Sequence, residues 1–200
     1  GRPGLRQARI KATACASDQS LLREITLTAT RSGSEVHVRA NDQNLNLRNR
    51  EYARLDVVIE VPEGIAADIE DGSGEIDVVG IGALTLHDGS GSISGDDIRG
   101  DIDIEDGSGE INLRNIAGSV RIEDGSGEID LRNVQGTVDI DDGSGEITLF
   151  KVLRDVLISD SSGSIDVDDV GGRFHVRNDS SGGIGYHAVR GAVDIPRRRR

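Results

Sequence analysis

The sequence predicts an all-β protein, a single-stranded β-solenoid (β-helix) of about 18 residues per coil with an N-terminal β cap. Three observations lead there. The hexapeptide Asp-Gly-Ser-Gly-Glu-Ile is written four times, at Asp71–Ile76, Asp106–Ile111, Asp124–Ile129 and Asp142–Ile147, and looser copies begin at Asp88, Asp160 and Asp179. The seven starting aspartates are 17, 18, 18, 18, 18 and 19 residues apart, a fixed period that marks a repeat architecture. Each unit also splits into two similar halves, both reading x-x-x-Gly-x-apolar-x-apolar-x, as in Asp124–Arg132 followed by Asn133–Asp141.

Within each half the apolar residues alternate with polar ones, the period of a half-buried strand. The glycine before them supplies a corner where a side chain would clash or φ must be positive. One unit therefore reads strand, corner, strand, corner. Seven such coils at the strand spacing give a rod of roughly 34 Å.

The expected core follows the alternation. The first strand of each coil supplies Ile76/Val78, Ile93, Ile111/Leu113, Ile129/Leu131, Ile147/Leu149, Ile165/Val167 and Ile184/Tyr186. The second supplies Leu84/Leu86, Ile102/Ile104, Val120/Ile122, Val138/Ile140, Val156/Ile158, Phe174/Val176 and Val193/Ile195. Ile81, Ile98, Ile116, Val134, Val152, Val170 and Val189 join them at a corner. Gly95 takes the second core position of its coil, so a local weak point is expected there.

Residues 1–66 lack the period and read as the cap. Ser17–Ile25 holds the one helix signal, with Ser17 or Asp18 as its cap residue. Ile25–Ala40 reads as a hairpin around Arg-Ser-Gly-Ser, and Leu55–Gly64 as a strand stopped by Pro62. Residues 67–195 are the solenoid and 196–200 a basic tail. A cap matters because an open solenoid end is an exposed sheet edge.

Charge is uneven. Residues 1–66 carry 10 basic and 8 acidic side chains, residues 67–190 carry 9 and 27, and residues 191–200 carry 4 and 1. An acidic solenoid disfavours nucleic acid and anionic membranes as partners. The sequence has no transmembrane run, so direct membrane insertion is not expected, and it has no methionine. The expectation is an extracytoplasmic domain, periplasmic, surface-bound or secreted, from which the start of a precursor has been removed. The single Cys15 forms no intrachain disulfide.

The candidate site is the aspartate row Asp71, Asp88, Asp106, Asp124, Asp142, Asp160 and Asp179, preceded by Glu70, Glu105, Glu123 and Asp141 in four coils. Two carboxylates at the strand spacing repel by roughly 0.9 kcal/mol in water, so something should offset the stacking. One reading is structural: each aspartate accepts hydrogen bonds from its own turn backbone. The other is a row of weakly bound Ca²⁺ between coils. Calcium-binding nonapeptide repeats are a contrast, since they carry aspartate where this chain has Ile129 or Val138. The EF-hand and P-loop patterns also fail, and no other cofactor is expected.

A catalytic reading finds no support. Ser73, Ser90, Ser108, Ser126, Ser144, Ser162 and Ser181 are equivalent by repeat, and His37, His87, His175 and His187 are scattered. Two features point to partners instead. Phe150, Leu153 and Leu157 stand where most coils are polar or small, which marks a partner surface or a locally wider core. Arg197, Arg198, Arg199 and Arg200 are either a solvated tail or a basic end that docks on the acidic body of another copy, head to tail.

The run Asp56–Gly64, ending Val-Pro-Glu-Gly, followed by the Ser-Gly-Glu-Ile repeats, resembles a bacterial family of adhesin-like β-solenoids, a domain of unknown function with Ser-Gly-Asp/Glu-Ile repeats. The resemblance covers roughly residues 55–195. It implies a non-enzymatic structural or adhesive module of the bacterial envelope or beyond, with envelope or surface components, or further copies of itself, as partners. It carries no catalytic residues over. Two alternatives stand beside it: a filament subunit that stacks end to end, and a Ca²⁺-dependent module using the aspartate row.

Overall fold

The structure is a computed structural model that describes residues 1–41 and 51–196. Packing divides the chain into a unit of Arg2–Pro62 and a solenoid unit that begins at Glu63 and also takes in Gly1.

The first unit contains β1 (Arg9–Ala16), α1 (Gln19–Glu24), β2 (Thr26–Ser32), β3 (Glu35–Asn41) and β4 (Ala53–Glu60). β1 and β4 run antiparallel from Arg9↔Glu60 to Ala16↔Ala53. β2 and β3 form the expected hairpin, closed at Ser32↔Glu35 with Gly33 at φ +63° in the turn. Of the two candidate caps, Asp18 takes the role: its Oδ1 accepts from the Ser20 amide at 2.7 Å. Leu21 is the buried residue of that helix.

The solenoid is the expected parallel β-solenoid, with about 18 residues per turn over some seven turns. Its strands form two columns. The short column holds Ala67–Asp71, Leu84–Asp88, Ile102–Asp106, Val120–Asp124 and Val138–Asp142. The long column holds Gly74–Val79, Gly91–Ile98, Gly109–Ile116, Gly127–Val134 and Gly145–Val152. Equivalent residues stack in register, as in Ile122↔Ile140 and Asp124↔Asp142 in one column and Ile111↔Ile129 in the other. In Val156–Val170 and Phe174–Val189 the columns fuse into one strand that runs through the Asp-Ser-Ser-Gly corner.

The two halves of a coil are thus less alike than their sequences. The reason is the second corner. There a single residue in the left-handed region turns the chain, namely Asp97, Asn115, Asn133, Lys151, Asp169 or Ala188, at φ +53° to +62°. Strand pairing resumes one residue later, at Ile116↔Val134 and its equivalents. Asn and Asp adopt this conformation more readily than other non-glycine residues, which explains four of the six choices.

At the first corner glycine is required. The Ser-Gly glycines, from Gly74 to Gly182, all have φ between +136° and +151°. From Gly91 onward a Cβ would also overlap the carbonyl oxygen of the glycine one coil earlier. The Asp-Gly glycines need space alone: a Cβ on Gly125 would stand 2.5 Å from the Gly107 carbonyl oxygen. The hexapeptide is the record of coils stacked too closely for a side chain at the Ser-Gly position from Gly91 onward, and at the Asp-Gly position in Gly89, Gly107, Gly125 and Gly143.

The interior is the expected aliphatic stack, with Ile93, Ile111, Leu113, Ile129, Leu131, Ile140 and Ile158 at 0% exposure. Each contributes roughly 1.5–3 kcal/mol of burial. The last coil departs from expectation. Tyr186 is 49% exposed, and Ile184, Val189, Val193 and Ile195 are only half-buried, because the described chain supplies no further full coil to cover them. Gly95, the expected weak point, does not leave an empty space. A Cβ there would lie 2.7 Å from Leu113 Cδ2, so Leu113 of the next coil already fills the gap.

Candidate functional site: the buried aspartate ladder

The aspartate row faces inward. In Val120–Asp124, Val120, Ile122 and Asp124 share one face of the strand and all are buried, while Arg121 and Glu123 point out. The same alternation places Asp88, Asp106, Asp142 and Asp160 inside, with relative exposures of 1–7%. Asp71, in the first coil, is exposed, and Asp179, in the last, is half-buried. The ladder is sealed only in the middle of the stack.

The turn backbone satisfies one oxygen in four of the five buried carboxyls. The amides of Ser108, Ser126, Ser144 and Ser162 donate to Oδ1 of Asp106, Asp124, Asp142 and Asp160 at 3.2, 3.1, 3.0 and 2.8 Å. These are the Asx-turns of the structural reading. The repeated serine therefore acts through its main chain. Oδ2 of the same four aspartates is buried and has no hydrogen-bond partner.

A buried oxygen without a partner disfavours the charged form. Burial pushes the carboxyls of Asp124 and Asp142 up to about 6, and the charge of the neighbouring rungs adds to the shift. Asp88, Asp106 and Asp160 are raised for the same first cause. The Ser amides pull the other way and do not win.

Outside the ladder, Glu105, Glu123 and Asp141 line an open depression of about 490 Å³, together with Asp106, Asp124, Asp142, Ser159 and Ser161. Its cations lie on the outer row. Arg177 reaches across coils to Asp139 at 2.7 Å and Asp141 at 3.1 Å, and Arg121 pairs with Glu123. Among the described residues no group of three His, Cys, Asp or Glu is placed to hold a metal ion.

Of the other candidate residues, Phe150 and Leu157 stand on different columns. Phe150 is 43% exposed and stands on the long column, with Arg132 and Asp168 as register neighbours. Leu153, 50% exposed, follows the left-handed Lys151 corner. Leu157 is half-buried on the short column, between Asp139 and His175. Arg197, Arg198, Arg199 and Arg200 lie outside the described residues. His87 pairs with Glu105 at 3.0 Å and His175 with Asp194 at 3.1 Å, both on the exposed surface. Cys15 is a free, exposed thiol.

The family model described as Toastrack DUF4097 matches residues 5–188, nearly the whole chain. The protein belongs to the Toastrack family. No curated protein and no solved structure matches it. The Toastrack match begins at Leu5, some way before the Asp56–Gly64 run on which the sequence resemblance rested, so it includes β1, α1 and the hairpin as well as the coils. Membership accounts for the solenoid and assigns no chemistry to any residue of the Toastrack chain.

What the sequence reading missed is the direction of the aspartates. The signal was present: Asp124 has the same parity as Val120 and Ile122, two core positions.

Proposed function

We propose that this Toastrack chain is a non-enzymatic structural module with adhesive character, working at the bacterial envelope or cell surface. The observation that supports the reading is the in-register stacking. It turns every outward position into a column at the strand spacing, such as Asp96, Arg114, Arg132, Phe150 and Asp168 along the long strands. Such a face offers a rigid array of mixed charge with an apolar residue in it, suited to an extended repetitive ligand. Beads coated with the protein should retain bacterial envelope material, and retention should fall with salt and with a combined Arg132→Glu and Phe150→Ser change. Retention equal to that of bare beads would overturn the adhesive reading.

A second reading, end-to-end assembly, is favoured by the last coil. Gly182–Val189 pairs on one side with Gly163–Val170, and among the described residues nothing pairs with its other edge. Half-buried Ile184 and exposed Tyr186 sit on that strand. Negative-stain microscopy and sedimentation at low and high salt test it. Polymers that shorten when Arg197–Arg200 are removed support it, and monomers in every condition reject it.

A further inference from the structure

The Asp106–Asp160 ladder has an unused chemical capacity. Four buried carboxyls stack in register, each with Oδ1 engaged by a serine amide and Oδ2 sealed with no partner. No backbone or side-chain donor reaches those oxygens among the described residues. The groups that face them can be named. Along the ladder they are the other aspartates, from Asp71 to Asp179. Across the interior, the long strands present Ile111, Ile129 and Ile147, all fully buried and apolar. On the outer side stand Glu105, Glu123 and Asp141, and the nearby cations Arg121, Arg177 and His87 are paired with those outer acids or with Asp103 and Asp139. No Lys, Arg or His forms an ion pair with Asp106, Asp124, Asp142 or Asp160 among the described residues.

A divalent cation would need six or more oxygens, and half of the ladder oxygens are committed to amides. A proton needs a single oxygen to sit on, which each unpartnered Oδ2 supplies. We propose that the ladder is a proton-binding site, in which protons taken from water are held on the buried carboxyls of successive coils. Each proton bound removes one buried negative charge and its repulsion of the neighbouring rungs. About one proton per pair of neighbouring rungs leaves no two adjacent carboxyls charged, as in other carboxyl pairs that do not both ionise. The solenoid is then a rod that tightens on mild acidification.

The direction of the effect is fixed by linkage. The ladder carboxyls lie above the ordinary value of 3.8, at about 6 for Asp124 and Asp142, so the folded state binds more protons than the unfolded chain between those values. Stability therefore rises as pH falls through 6 toward 4 and is lost as pH rises through the same window.

The test combines carboxyl ¹³C NMR with thermal melts from about pH 7.5 to about pH 5, in about 0.5 M salt to screen surface repulsion. At least two aspartate carboxyls should titrate near pH 6, and Tm should rise on acidification. Asp124→Asn removes the buried charge of that rung permanently, so it should melt higher than the parent at neutral pH and gain less from acid. Glu128→Gln makes the same charge change on an exposed side chain of the next strand and should leave the acid gain intact. A flat or falling Tm in the parent overturns the proposal. So does an equal loss of acid gain in both variants, which would assign the effect to surface charge. Millimolar Ca²⁺ reproducing the acid gain at neutral pH, and failing to do so in Asp124→Asn, would make the ladder a metal site instead. If Asp124→Asn does not fold, Asp106→Asn and the NMR titration of the parent decide the matter.

Discussion

The amide of Ser126 donates to Oδ1 of Asp124 at 3.1 Å, while Oδ2 of the same carboxyl is buried with no partner. One residue thus both closes the turn and carries an electrostatic cost. The two roles can be separated. Asp124→Asn keeps the acceptor for Ser126, whereas Asp124→Ala orphans that amide. In urea melts at neutral pH the Asn variant should be more stable than the Ala variant by about 1–2 kcal/mol. Equal stability would mean that the turn hydrogen bond contributes nothing.

Gly72 and Gly125 hold the same repeat position and have different neighbours. A Cβ on Gly72 meets nothing within 4 Å, whereas one on Gly125 meets the Gly107 carbonyl oxygen at 2.5 Å. Gly72→Ala should stay within about 0.5 kcal/mol of the parent. Gly125→Ala must push two coils apart and should cost about 2 kcal/mol or more, or prevent folding. Circular dichroism melts distinguish the two. A large loss at Gly72 would show that something other than this chain covers the first corner.

Lys151 occupies the left-handed corner at φ +62°, next to an amide ladder in which Asn133 Nδ2 donates to Asn115 Oδ1 at 3.1 Å. Lys151→Asn suits the backbone better and is placed to extend that ladder by one rung. It should raise stability by about 0.5–1 kcal/mol, read as an upward shift in Tm.

Leu113 Cδ2 fills the space over Gly95. Gly95→Ala should cost about 1 kcal/mol through crowding, and Leu113→Ala about 2–5 kcal/mol through the cavity it leaves. The double variant should cost less than the sum, because each change relieves the other. Additive losses would separate the two sites.

Arg177 touches Asp139 at 2.7 Å and Asp141 at 3.1 Å on an exposed face. Exposed pairs contribute little, so Arg177→Ala should lose no more than about 1 kcal/mol, and less in high salt. A salt-independent loss would point to packing by its aliphatic stem.

The coil was legible because a solenoid writes its geometry into spacing. Asp124 to Asp142 is one turn, and Ile129/Leu131 alternate as a half-buried strand must. The short N-terminal elements were legible through local chemistry, Asp18 at the helix start and Gly33 in the hairpin. Burial at the solenoid end was not, because Tyr186 obeys the same alternation as Leu131 and differs only in having no coil above it. Repeat logic assigns neighbours to every rung, the last included. The direction of the aspartates went unread for a different reason. Residue type argued for the surface while strand parity argued for the core, and parity prevailed because the Ser amide draws the carboxyl inward. Phe150 and Leu157 looked like one cluster in a linear reading and belong to different columns, since the chain turns the Lys151 corner between them.

In-register stacking also makes the coil a unit of length. Ser108-Gly109 and Ser126-Gly127 are the same junction, repeated one turn later. Removing Gly109–Ser126 would join Ser108 to Gly127 and recreate that junction without altering either end of the rod. Duplicating the segment would lengthen it by one strand spacing, about 4.8 Å. Such a chain can change its reach by whole turns while its end surfaces stay the same, so length and end chemistry are free to vary independently.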